Sequence, residues 1–290
     1  MLRRTRRLLL FLRRWRWVEE RRCIGHKDIT RIAENSIFGN YGYEARTSKI
    51  QEAEEEVMSK HRVDLWIYQR PDPKESIDDL YRERWQRMIA LNSPLSWKNA
   101  LVPSAPIRDR GDLAACYSVR YGNANLKHRG AYRIRDTRYI YDEKTSDDTF
   151  AFEVKKLNVD EYRDTLCRQF PEAIGAVRGY RAAAYVKFYS SEYSDLHRSE
   201  RSALREKANA DPDGRDNIFT LQPAQFWDAE LCQRALGCGR DEVIKRLTGK
   251  VPLVRPLMDG VYVVFNDNPD LTFEEFCAYN DRLKPVLGLA

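Results

Sequence analysis

What this chain lacks narrows its function first. It has no CxxC pair, no run of twenty apolar residues, and four histidines far apart in sequence (His26, His61, His128, His197). Without CxxC spacing or a close histidine pair, the common zinc-site patterns do not apply. Six cysteines are spread over 290 residues, and only Cys232 and Cys238 are near neighbours. That usage predicts reduced thiols in a cytoplasmic protein and not a disulfide framework. The apolar run Leu8–Leu12 is too short for a membrane span of about 20 residues or a signal-peptide core of about 7–15. Nucleotide loops are missing too. Leu247-Thr-Gly-Lys250 has no upstream glycine, and Gly39-Asn-Tyr-Gly42 lacks the third glycine of a dinucleotide fingerprint. No cofactor is expected.

A basic body is also missing, although the net charge is +6. Residues 1–22 (MLRRTRRLLLFLRRWRWVEERR) hold nine arginines against Glu19 and Glu20, a local balance of +7. The remaining 268 residues carry 41 basic and 42 acidic side chains, a balance of −1. The body is therefore not expected to bind nucleic acid. Leu8, Phe11, Leu12, Trp15 and Val18 recur at helical spacing with arginines between them. Such a basic amphipathic helix would lie on an anionic membrane surface. Residues 1–22 are read as that appendage or as a start assigned too early. Membrane contact is expected only if they are translated. Residues 23–49 have no sustained period and read as a linker.

What is present fits a folded domain. At 42% hydrophobic and 11% aromatic, the chain can bury a core. From residue 50 onward no linker interrupts the pattern, which predicts one domain over 50–290. IQEAEEEVMSKHR predicts a short helix, and VDLWIYQ a strand in which Val63, Leu65 and Ile67 alternate with Asp64, Trp66 and Tyr68. Ser76 or Asp78 can cap a helix through SIDDLYRERWQRMIAL. After a proline-rich connection (93–111), DLAACYSVRYG, GAYRIRDTRYIY and TFAFEVKKL have period two, with GNANLKHR and DEKTSDD as turns. VDEYRDTLCRQF predicts a helix ended by Pro171, GYRAAAYVKFY a strand, and SEYSDLHRSERSALREKA a polar helix. NIFTL then reads as a strand, FWDAELCQRALG and GRDEVIKRL as helices, VPLVRPL and GVYVVF as a hairpin, and LTFEEFCAYNDRLKPVL as a closing helix. Strands in runs with helices between them predict an α+β fold, a largely antiparallel sheet with helices packed on it.

Few residues suggest chemistry. Asp211, Asp213 and Asp216 surround Gly214, but the glycine precedes the third acid and no glutamate closes the loop, so a turn is expected instead of a calcium site. In Phe150-Ala-Phe-Glu-Val-Lys155, Glu153 and Lys155 share a strand face. That is the (D/E)xK half of a Mg²⁺-dependent nuclease, with Asp148, Asp136 or Asp142 as the partner acid. Asp142-Glu-Lys144 has the same pattern, no Pro-Asp half lies nearby, and a solvent-facing charge pair is the plainer reading. Cys116 and Cys167 read as small core residues. The aromatics read as core and as a protein interface. The acidic run Glu52, Glu54, Glu55 and Glu56 together with Trp66 are the expected partner contacts.

The segments GDLAACYSV, FEVKKLNVDEYRDTL, AVRGYRAAAYV, NIFTLQPAQFWDAEL and LMDGVYVVFNDNPDLTFEEFCAYNDRLKPVL follow one another in order. Over residues 62–288 this order resembles the bacterial type VI secretion immunity proteins linked to VRR-type nuclease effectors. Asn217-Ile-Phe-Thr-Leu221, Gly260-Val-Tyr-Val-Val264, Pro269 and Leu283-Lys-Pro285 take the places of that family's hydrophobic and turn motifs, with Phe219 where a tryptophan is usual. The resemblance implies a non-catalytic protein that binds and neutralises a cognate toxin effector, and it carries over no functional residues. The nuclease is the alternative.

Overall fold

In the computed structural model, residues 61–110, 113–135, 147–208 and 212–289 are described. They fall within the unit Glu56–Ala290. Residues 1–60, with the predicted appendage, linker and acidic helix, lie outside the described residues. So do residues 136–146, which hold the end of the predicted strand GAYRIRDTRYIY and most of the predicted turn DEKTSDD.

The first strand shows how the sheet is built. In β1 (His61–Gln69), Val63, Leu65 and Ile67 are fully buried, while Asp64, Trp66 and Tyr68 are half-buried. Successive side chains of a strand point to opposite faces, so one face of β1 is core and the other is not. The remaining strands are β2 (Ala100–Leu101), β3 (Ile107–Arg110), β4 (Leu113–Tyr121), β5 (Leu126–Arg133), β6 (Asp148–Leu157), β7 (Arg181–Tyr185), β8 (Ala224–Trp227), β9 (Leu253–Leu257) and β10 (Gly260–Val264). They form one ten-stranded sheet in the order β2-β4-β5-β6-β1-β7-β8-β10-β9, with β3 also on β4. Every pairing is antiparallel. The described residues form a single α+β domain, as expected. Its edges are poor templates for further pairing. β2 has two residues, β3 is Ile-Arg-Asp-Arg, and β9 carries Arg255 and Pro256.

The inner face of β4, β5, β6 and β1 packs under helix α1 (Ile77–Ala90), which Ser76 caps by accepting from the Asp79 N–H. Tyr81, Trp97, Tyr117, Tyr132, Phe150 and Phe152 are buried there. Tyr117 lies over Gly130, where a Cβ would come within 2.2 Å of its ring. Arg84 is fully buried among these rings. Its guanidinium sits 3.7 Å above Phe150 and donates to Gln69 at 2.6 Å and to Tyr132.

After β6, helix α2 (Val159–Asp164) opens with a capping box between Asn158 and Glu161. The predicted stop at Pro171 does not occur. A π turn (Thr165–Gln169) leads directly into α3 (Phe170–Val177), with Pro171 in its first turn. There the missing proline N–H costs little. The run packs on the inner face over β6 and β1 and reaches β10, where Phe170 is edge-on to Tyr262 at 6.2 Å and the Tyr262 hydroxyl donates to the Leu166 carbonyl at 2.5 Å.

The predicted polar helix is two helices, α4 (Tyr189–Leu196) and α5 (Arg198–Ala208). A second correction concerns NIFTL. It is not a strand; the strand is the next segment, Ala224–Trp227, whose last two residues begin the predicted helix FWDAELCQRALG. Residues 217–222 run irregularly because side chains satisfy their backbone. Asp213 accepts from the Phe219 and Thr220 N–H groups at 2.8 and 2.9 Å, and Asn280 from the Leu221 N–H at 2.8 Å. Asp213 thus serves a turn, as predicted. Helix α6 (Ala229–Leu236) starts after its cap Asp228. Helices α7 (Arg240–Leu247) and α8 (Phe273–Leu287) and the β9–β10 hairpin fall where predicted. The five described cysteines are free. Among the described residues, no helix is long and apolar enough to cross a membrane.

Candidate functional site

The register places three rows of side chains across the outer face of five strands. From β4 to β7 they are Arg120–Lys127–Glu153–Asp64–Tyr185, Ser118–Arg129–Ala151–Trp66–Ala183, and Cys116–Ala131–Thr149–Tyr68–Arg181. All are exposed or half-buried except Ala183. The indole of Trp66 lies between the small side chains of Ala151 and Ala183 and stacks on Tyr68 with ring centres 6.3 Å apart. Arg120, Lys127 and Arg129 are exposed at one end of the rows. Next to them the charges are paired. Lys155 meets Glu153 at 2.5 Å, and Arg62 reaches Asp64 at 2.9 Å and Glu153 at 3.8 Å. Burial pushes the Glu153 carboxyl up, but the Lys155 hydrogen bond and the charges of Arg62 and Lys127 more than offset it, leaving it below the usual range.

Beyond Tyr68 the rows end in a tight polar cluster. The Arg181 guanidinium lies 3.8 Å above the Tyr68 ring and donates to the Tyr180 hydroxyl at 2.9 Å and to the Asp213 carbonyl. Asp147 accepts from Tyr180 at 2.6 Å, Arg181 at 3.3 Å and Arg215 at 2.9 Å. Arg70 stacks over Tyr180 at 3.8 Å and pairs with Asp228, the cap of α6. Burial lowers the pKa of Arg181, and Tyr180, Tyr68 and Asp147 more than offset it, so its charge is held firmly. The cavity beside the cluster, lined by Tyr68, Arg181, Tyr185, Asp213 and Gln225 among others, measures about 20 Å³. That is room for roughly one water molecule and for no substrate. The cluster braces the end of the outer face.

A larger hollow of about 780 Å³ lies beside the β2 edge, lined by Trp85, Ile89, Leu91, Trp97, Leu101 and Val102 among others. Leu101 is 76% exposed there.

Of the partner residues expected from sequence, Trp66 lies at the centre of the outer face. Glu52, Glu54, Glu55 and Glu56 fall outside the described residues. The nuclease constellation is brought together only in part. Glu153 and Lys155 meet, but Asp148 is an odd number of residues from Glu153 and so points to the opposite face. Asp148 is fully buried, holding Arg135 through both oxygens at 2.9 and 2.7 Å and the Arg133 N–H at 2.8 Å. Asp136 and Asp142 lie outside the described residues. Among the described residues, no three His, Cys, Asp or Glu side chains gather as a metal site. Burial pushes the thiols of Cys167 and Cys277 up, and that of Cys232 to about 12, away from nucleophilic reactivity. Cys116, expected in the core, is on the outer face and half-buried.

Sequence reasoning missed Lys127 and Arg129. Both lie in a segment assigned to a turn, whereas β5 begins at Leu126. The period-two pattern Leu126, His128, Gly130, Tyr132 was the available signal.

No protein-family model matches the chain, and no curated protein does. Among solved structures, the chain is similar to the Pseudomonas aeruginosa T6SS protein PA0821, at 10% identity and a TM-score of 0.48, over 83% of this chain and 82% of that one.

Proposed function

We propose that this protein acts by binding another protein and not by catalysis, as an immunity-type inhibitor that covers a toxin effector. The observation that carries the reading is the outer face of β4–β7. It combines a half-buried aromatic pair, Trp66 on Tyr68, small flanking alanines and a charged margin. An aromatic centre inside a polar rim is the anatomy of a protein–protein interface. The type VI immunity resemblance of residues 62–288 supplies the kind of partner. In this role Glu153 and Lys155 are an ion pair on the rim.

The reading is tested by identifying a candidate toxin domain in the neighbouring reading frames and co-expressing it with the chain. Growth should be rescued and the two proteins should co-elute on a sizing column. Absence of both rescue and complex would sink the idea. Purified protein that cleaved DNA or RNA with Mg²⁺, and lost that cleavage on Glu153→Ala, would replace it with the nuclease.

A further inference from the structure

We infer that the corner of the outer face formed by Arg120, Lys127 and Arg129 docks against a cluster of carboxylates on the partner protein. The inference rests on the protein-binding reading and assigns the contact surface and its charge.

Arg120 on β4 and Lys127 on β5 are direct cross-strand partners. Like charges facing each other across a ladder are destabilising, so folding alone disfavours this pair. Arg129 sits on the same face, opposite Ser118 and two residues along from Lys127. All three side chains are exposed, and among the described residues none makes a salt bridge or side-chain hydrogen bond. The nearest carboxylate in the row, Glu153 opposite Lys127, already holds Lys155 at 2.5 Å. Other described cations of the face, Arg62, Lys155 and Arg181, are paired with carboxylates of the chain itself. Three cations share one nearby carboxylate, Glu153, which also holds Lys155 and lies near Arg62, so positive charge is in excess at this corner; such local imbalances belong at functional sites. Their positive field fits an acidic surface, for which complementary charge speeds encounter.

Phosphates of a nucleic acid would also attract these cations. However, Asp64 and Glu153 stand in the same row beside Trp66, and they would repel a phosphate chain crossing toward the aromatic pair. A protein surface of mixed charge meets both signs. The assigned contact is basic on this chain and is separate from the acidic run at Glu52–Glu56, which lies outside the described residues.

The test is the triple variant Arg120→Glu, Lys127→Glu, Arg129→Glu, with the milder triple glutamine variant beside it. Thermal melting confirms that each stays folded. The wild-type chain should bind the candidate toxin domain with an affinity that falls as salt rises, and the glutamate variant should lose at least ~10-fold in association rate and fail to rescue growth. Wild-type rescue matched by full rescue and unchanged binding in both variants would overturn the inference and leave the protein-binding reading standing. If the wild type itself does not bind the toxin, that reading falls, and retention on immobilised poly-L-glutamate decides the surface separately. Retention by wild type and loss in the variants supports it, and no wild-type retention refutes it. Tighter binding of single-stranded oligonucleotide than of poly-L-glutamate also refutes it.

Discussion

Strands β4, β5, β6 and β1 largely bury alternate side chains, whereas β8 and β10 bury every one. The two halves belong to one antiparallel sheet, so pairing does not explain the contrast. Cover does. In the second half the outer face is closed by the 217–222 segment, where Gln225 donates to the Thr220 carbonyl at 3.0 Å. Helix α8 adds to this closure, with Tyr279 stacked on Phe265, which packs on Trp227. In the first half only the inner face carries a helix-capped aromatic core. An antiparallel sheet tolerates solvent on one face, and in this domain the wet face is where function has room to sit.

One row of the sheet crosses both regimes, from Ala151 through Trp66, Ala183 and Gln225 to Val263. It allows a direct test. Val263 is fully buried, so Val263→Asp should cost more than about 4 kcal/mol or prevent folding, because an unpaired charge is forced into the core. Ala151→Asp, on the same face in the open half, should cost no more than about 1 kcal/mol. Urea denaturation of both would break the comparison if their midpoints fell equally. Gly260→Ala belongs with the closed half. A Cβ there would meet the Trp227 carbonyl oxygen at 2.0 Å and the Asp228 Cα at 2.6 Å, so a loss of about 3 kcal/mol is expected.

A second prediction concerns the inner face of the open half. His128 is 1% exposed, stacked on Phe152 at 4.1 Å, with Nδ1 3.1 Å from the Ala151 carbonyl and Nε2 3.3 Å from the Tyr117 hydroxyl. Burial, and then the Arg84 charge, lower its pKa to about 3. The unfolded chain takes up this proton near pH 6.5 and the native protein does not. Stability is therefore unaffected above pH 6.5 and falls by roughly 1.4 kcal/mol per unit from there to about pH 3. His128→Asn should flatten that part of the curve, and an unchanged slope would assign the acid sensitivity to other groups.

Smaller effects are expected on the outer face. Trp66→Ala should lower stability by only about 1–2 kcal/mol, since the indole is half-buried, while abolishing the proposed toxin complex. Loss of stability without loss of binding would make Trp66 a packing residue. Smallest of all, Arg129→Ala should shift the unfolding free energy by less than about 0.5 kcal/mol and act on binding alone.

Much of this architecture was legible from local pattern. The strands around Val63–Ile67, Ala115–Val119 and Phe150–Phe152, the capped helix after Ser76 and the closing hairpin and helix all follow hydrophobic period and cap chemistry. The misreadings share one cause, which is that local signals compete. Pro171 reads as a stop, yet a π turn carries the helix through it. Asn217–Leu221 has strand composition, yet Asp213 and Asn280 supply the hydrogen bonds that a neighbouring strand would have provided.

The candidate surface was less legible. Trp66 stood out as an aromatic on the polar side of an alternating strand, but nothing local joins it to Arg129 or separates Asp148 from any site. By itself the sequence determined which side chains of each strand share a face, because side-chain period is a covalent property of extended backbone. It also determined that the body carries almost no net charge. Only the tertiary structure decided that β1 lies in mid-sheet between β6 and β7 and that one half of the outer face is closed. Strand order and cover depend on contacts between residues far apart in the chain, and these place the exposed cations at one end of the face that holds Trp66.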